Sequence, residues 1–231
     1  MFSAALTPAE WAVLSLSVKV AACATAGSLV LAVPTALLLA RGRFWGRSLL
    51  NAAVHLPLVL PPVVTGYVLL HLLGRRGAIG GWLAEALGVV VAFRWTGAAI
   101  AAGVMGFPLV VRAIRLGIDQ VDAGLEETAA TLGASPVRVW LTVTLPLAAP
   151  AILAGAMLGF AKALGEFGAT ITFVSSIPGE TQTLALAIYA ATQIPGGDDQ
   201  VVRLLLLSVA VSFLALLGSE ALVRRTRPDS R

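Results

Sequence analysis

Charge is scarce in this chain. Asp, Glu, Lys and Arg together make up 12% of its 231 residues, whereas 58% are hydrophobic. A soluble domain carries about a quarter charged residues. The deficit, with a mean hydropathy of +0.91, excludes an ordinary soluble fold and places the chain in a membrane. Cysteine is scarcer still. The single Cys23 excludes an intrachain disulfide and leaves the redox compartment unmarked. The two histidines, His55 and His71, are far apart in sequence with no carboxylate partner, so no metal site is expected. The only lysines are Lys19 and Lys162, and neither follows a glycine. That removes the G-x-x-x-x-G-K-[ST] phosphate cradle and excludes nucleotide hydrolysis by this chain. Neither H-E-x-x-H nor G-x-S-x-G occurs, so hydrolase chemistry has no support. The N-terminus lacks a basic n-region and Glu10 interrupts it, so no cleavable signal peptide is expected.

What is present is a series of long apolar runs. A spanning helix needs about 20 mostly apolar residues, because each adds about 1.5 Å across about 30 Å of hydrocarbon. Residues 11–40, 49–73, 98–116, 147–174 and 201–223 qualify. An all-α polytopic membrane fold with five spans, forming one transmembrane domain over 11–223, is expected. Residues 183–192 are apolar but too short to cross, and read as a re-entrant or surface helix.

The net charge of +4 sits in arginine clusters between the runs, the pattern of basic cytoplasmic loops rather than of nucleic-acid binding. Arg41, Arg43 and Arg47 follow the first run; Arg112, Arg115 and Arg138 flank the interval between the third and fourth; Arg224, Arg225, Arg227 and Arg231 form the tail. With five spans these ten fall on one face, which the positive-inside rule assigns to the cytoplasm. The N-terminus is then outside and the C-terminus inside. Arg75, Arg76 and Arg94 are the exception. Trp11, Trp45, Trp82, Trp95 and Trp140 lie near span ends, as an interfacial aromatic belt requires.

The longest polar interval, 119–150, is built like a helix pair. Asp122 is placed to cap a helix, and Glu126 and Glu127 lie near its positive end. Leu125, Ala129 and Leu132 share one face. Gly133 sits where a left-handed residue ends a helix, and Ser135-Pro136 supplies a fresh N-cap and first-turn proline. Leu145-Pro146 then opens the next span. A short capped helix of this kind suits docking into a groove on a soluble partner.

Here the sequence resembles the permeases of ATP-driven (ABC) importers. Glu127-Thr128-Ala129, Gly133, and Val143-x-Leu145-Pro146 are similar to that family's "EAA" loop, E-A-A-x3-G-x9-I-x-L-P. The departures are Thr128 for alanine and Val143 for isoleucine. The resemblance implies that 122–133 is a coupling helix seated on a nucleotide-binding subunit, within an EAA-type loop over 119–146. Three further stretches, HLPLVLPPVVTGY at 55–67, GEFGAT at 165–170 and GETQTLALAIY at 179–189, resemble molybdate permeases. Sulfate/thiosulfate permeases share the loop and a Glu-Phe-Gly segment.

Two groups inside the membrane stand out. Pro57, Pro61 and Pro62 interrupt the second run, each removing a backbone donor at about 3 kcal/mol in a helix interior. Such a break is tolerated where protein or a water-filled cavity satisfies the freed carbonyls. With Thr65 and Gly66 these prolines either line the path or gate, or make a packing kink. Lys162 and Glu166 lie one turn apart in the fourth run. The plainer reading is a structural ion pair; the sharper one makes Lys162 a transient attraction for an oxyanion.

The resemblance implies an assembly of two permease copies, an ABC ATP-binding subunit dimer that holds ATP and Mg, and an extracytoplasmic oxyanion-binding protein. No cofactor is expected on this chain, and no regulatory domain is expected after the fifth span. Other readings stay open: a permease for sulfate, thiosulfate or tungstate, and an ATP-independent secondary transporter using Glu166 or Glu220.

Overall fold

The computed structural model describes residues 6–226, with side chains through Gly218. The side chains of the expected tail cluster Arg224, Arg225, Arg227 and Arg231, and that of Glu220, lie outside the described set. Every regular element among the described residues is helical. α1 (Pro8–Arg41) opens with a capping box: Thr7 accepts from the backbone N–H of Glu10, and the Glu10 carboxylate accepts from that of Thr7. Ala21, Ala24, Ser28, Ala32 and Ala36 recur every three or four residues on its buried face. The first part of this face packs on Ala98, Ala101, Ala102 and Met105 of α5 (Trp95–Asp119), and Ala32 and Ala36 pack on its Val110, Val111 and Ile114. The hydrophobic effect between helices is weak in lipid, so close approach of small residues supplies the adhesion instead. The Ser28 hydroxyl adds a bond to the Gly103 carbonyl at 3.3 Å.

The second apolar run does not cross as one helix. α2 (Arg47–Val59) and α3 (Pro62–Leu73) differ in direction by 113°. Leu60 and Pro61 between them are extended (ψ 141° and 134°). A residue before proline is pushed out of the α region, and Leu60 and Pro61 each precede one. The interval after α3 contains a helix that the sequence did not announce, α4 (Ala78–Leu87).

The fourth run is also redrawn. It begins earlier, with α6 (Ala123–Thr131) followed by α7 (Pro136–Val139), a π-helical turn (Trp140–Thr144) and α8 (Leu145–Leu164). The last three form one continuous helix over Pro136–Leu164. Pro146 has no N–H to give, and its ring would crowd the carbonyl four residues back. The turn before it widens, and the Leu145 N–H reaches the Trp140 carbonyl instead. At the other end α8 stops at Leu164, and residues 165–167 separate it from α9 (Gly168–Val174). The expected span 147–174 is therefore two helices. Gly165 and Gly168 flank the break.

α10 (Leu184–Thr192) is nine residues, about 14 Å, too short to cross, as expected for 183–192. α11 (Asp198–Thr226) is the last element of the described residues. Only 6% of its apolar window is buried, so it lies at the edge of the bundle. Among the described residues four helices are long and apolar enough to cross, and five spans result when the α2–α3 pair counts as one.

Arginines from the first two basic groups meet at one end of the bundle. Arg47 donates to the Leu39 carbonyl at 2.6 Å, and Arg115 donates to Asn51 Oδ1 at 3.1 Å. Elsewhere, Arg203 of α11 grips the Glu10 carboxylate of α1 through Nε at 3.0 Å and Nη2 at 2.9 Å. Nearby, Ser17 Oγ accepts from the Leu184 N–H at 2.7 Å. Of the tryptophans, Trp11, Trp45 and Trp82 are exposed. Trp95 lies under the Lys19 ammonium, 3.6 Å from the ring centre.

Candidate functional site

The helix marked by the polar interval is α6. Asp122 caps it, with Oδ1 accepting from the Gly124 N–H at 2.8 Å. Gly133, at φ +85°, supplies the left-handed residue just beyond its end. Ser135 Oγ then accepts from the Arg138 N–H to start α7. No residue of α6 is buried. Leu125, Leu132 and Val137 are 50%, 84% and 64% exposed. Glu127 is exposed beside them, Ala129 is half-buried, and Val143, Leu145 and Pro146 continue into the membrane helix. Thr128, which departs from the family's alanine, donates its hydroxyl to the Gly124 carbonyl at 2.7 Å. The substitution is therefore satisfied within the helix.

Glu126 behaves differently from Glu127. Its carboxylate meets Arg41 Nε at 3.0 Å and accepts the Thr144 hydroxyl at 2.6 Å. Arg41 also donates to the Ile118 carbonyl in the last turn of α5 and to the Val121 carbonyl just beyond it, at 3.0 and 3.1 Å. In the sequence Arg41 stands only as a basic loop residue, and Thr144 is the unspecified position in Val143-x-Leu145-Pro146. No spacing rule could connect residues so far apart in the chain.

The membrane candidates separate into two places. Pro62 and Gly66 meet the second broken helix: a Cβ on Gly168 would lie 2.6 Å from Pro62 Cβ, and one on Gly66 would lie 2.5 Å from the Ala169 carbonyl oxygen. The α2–α3 break and the α8–α9 break are thus seated against each other. Pro61 is exposed there. Thr65 is buried, and its hydroxyl has no partner among the described residues. Pro57 lies elsewhere. It lines an apolar cavity of about 580 Å³ between α1, α2 and α5, together with Cys23, Leu31, Val54 and Phe107.

Lys162 and Glu166 form the ion pair their spacing suggested, Nζ to Oε2 at 2.5 Å. Glu166 is 2% exposed, and its other oxygen accepts from the Ala169 N–H at 3.0 Å. One carboxylate therefore neutralises the Lys162 ammonium and caps the start of α9. The Lys162 charge is matched by a residue in the break just beyond its helix.

His55 Nδ1 lies 2.8 Å from the Asn51 carbonyl, which requires the proton on Nδ1. Among the described residues no three His, Cys, Asp or Glu side chains converge as a metal site would.

A multi-helix membrane bundle with a capped, exposed helix at one end and opposed broken helices has the architecture of a transport subunit. The chain belongs to the binding-protein-dependent transport system inner membrane components, whose family model matches residues 32–228. It is 52% identical over 216 residues to the molybdenum transport system permease protein ModB of Haemophilus influenzae, covering 94% of each chain. The ModB of Escherichia coli strain K12 is also 52% identical, over 222 residues, covering 96% of this chain and 97% of that one. Among solved structures, an inward-facing MetNI methionine ABC transporter aligns with TM-score 0.75 at 16% identity, covering 97% of this chain and 100% of that one. That likeness concerns the fold. The protein is a multi-pass permease subunit of the inner membrane and acts with ATP-binding and substrate-binding partners.

Proposed function

We propose that this chain is the membrane-spanning subunit of an ATP-driven importer of molybdate. The observation that carries the reading is half-identity to molybdenum permeases over nearly the full length of both chains. Two copies enclose the path, and a pair of ABC ATP-binding subunits beneath them holds ATP and Mg. An extracytoplasmic protein delivers the oxyanion. This chain binds no cofactor of its own.

The N-terminus faces outward, and α6 hangs in the cytoplasm with Leu125, Leu132 and Glu127 toward the ATP-binding subunit. An apolar pair flanking a carboxylate fits a groove that is apolar at its floor and basic at its rim. Closure of the ATP-binding pair draws the two α6 helices together and switches the path from inward- to outward-facing. The ion is selected chiefly by the delivering protein. The path itself binds weakly, because a site that held a dianion tightly would delay its release.

The test is ATP hydrolysis by the complex reconstituted with its binding protein. Molybdate is expected to stimulate it, and sulfate to do so far less. Stimulation by sulfate alone would assign a different ion. In a Cys23→Ser background, a cysteine in place of Leu125 should react with a membrane-impermeant thiol reagent only from the cytoplasmic side. Labelling from outside would reverse the topology.

A further inference from the structure

α6 presents a mechanical problem. It must pass a displacement to the spans, yet none of its residues is buried. No apolar core fastens it to the bundle. Its covalent connections are short irregular joints, at residues 120–122 before it and 132–135 after it, and such joints bend when pushed. A helix so attached would swing on its tethers instead of carrying force, unless something ties its body to the membrane helices.

The side chains present one such tie. Glu126 sits in the first turn of α6 and is gripped from two elements. Arg41, the last residue of α1, pairs with it at 3.0 Å. Thr144, the last residue of the π-turn before α8, donates to it at 2.6 Å and is 2% exposed. The same guanidinium holds the Ile118 and Val121 carbonyls. Ile118 is in the last turn of α5 and Val121 in the joint just beyond it, and carbonyls at a helix C-terminus concentrate negative charge. One carboxylate and one guanidinium therefore join α6 to the ends of α1, α5 and α8, the three helices that form the body of the bundle. The fork of an arginine is suited to this, since its N–H groups diverge in one rigid plane.

We propose that Arg41 and Thr144 are the positioning residues that transmit the movement of α6 to the spans, acting through Glu126. The inference rests on the reading of α6 as the docking helix and adds the route by which its motion enters the membrane. With the knot intact, displacement of α6 moves the cytoplasmic ends of three helices together. With the knot cut, α6 still docks and the partner still turns over ATP, but the movement dissipates in the joints on either side.

The experiment is the ratio of molybdate transported to ATP hydrolysed by the reconstituted complex, for the wild type, Arg41→Ala, Arg41→Lys and Thr144→Val. A merely structural defect lowers both quantities together; loss of transmission lowers the ratio. The ratio is expected to fall about tenfold in Arg41→Ala and about fivefold in Thr144→Val, the span of ordinary coupling between sites. Arg41→Lys keeps the charge and loses the fork, and is expected to lie between wild type and Arg41→Ala. The ATP-binding subunit should co-purify with every variant. Thr144→Val preserves side-chain shape, so it reports even where Arg41→Ala lowers the yield. An unchanged ratio in both Arg41→Ala and Thr144→Val, with the wild type coupled, would overturn the transmission route and leave the docking reading intact. A wild type that retains no ATP-binding subunit and moves molybdate without ATP would overturn both.

Discussion

The docking helix and the opposed breaks are both irregular places in an otherwise regular bundle, but they are built from different materials. α6 has no buried residue and is held by a carboxylate, a guanidinium and a hydroxyl. The joint between α3 and α9 buries Thr65, Gly66, Ala169, Thr170, Phe173 and Val174 and depends on backbone approach at Gly66 and Gly168. Bonds at a few polar atoms leave the rest of α6 unburied, so the helix can be displaced together with the helix ends it is tied to. A close-packed joint cannot give by half an ångström without losing its contacts. The first is suited to motion and the second to fixing a shape.

That contrast predicts opposite responses to substitution. Gly66→Val should be the most damaging change, because its Cβ would meet the backbone of Ala169. A loss of about 3 kcal/mol is expected from overpacking, visible as a lowered thermal midpoint in detergent. A midpoint within a degree of wild type would show that the joint yields. Lys162→Met removes the partner of a buried carboxylate. Breaking a pair of this kind costs about 2 kcal/mol here, less than for a fully buried one, because Lys162 is partly exposed. The same thermal measurement checks it, and transport at wild-type rates would remove any role for that ammonium in attracting the ion.

At α6 the expectation is reversed. Leu132→Asp should leave the thermal midpoint unchanged, since the side chain is 84% exposed. It should weaken retention of the ATP-binding subunit about tenfold, the effect of losing an apolar anchor. A drop in the midpoint with retention intact would mean that the residue serves the fold and not the partner. The smallest effect is expected at Thr65, whose buried hydroxyl lacks a partner among the described residues. Thr65→Val should be neutral or stabilising by up to about 1 kcal/mol. If uptake falls while stability rises, the hydroxyl serves the path.

Much of this was legible in the chain. The caps at Asp122, Gly133 and Ser135, the short α10 and the Lys162–Glu166 spacing all follow from local rules, and each is found in place. What was not legible is direction. Hydropathy counts apolar residues and is indifferent to whether they lie along one axis, so residues 49–73 and 147–174 each read as a single crossing. In the first, the paired prolines signalled a disturbance but not its angle. In the second, Glu166 was read as a partner for Lys162; its other duty, capping α9, could be inferred only once a helix was known to begin at Gly168. α4 escaped because Gly80-Gly81 lies inside a run of ten residues, too short and too flexible to announce a helix. The knot of Arg41, Glu126 and Thr144 joins residues distant in sequence, where no periodicity operates.

The lone thiol has a practical corollary. Cys23 is exposed on the wall of the apolar cavity between α1, α2 and α5. A single environment-sensitive fluorophore attached there, with no engineering of the sequence, would read the wetting of that chamber in real time as the transporter cycles.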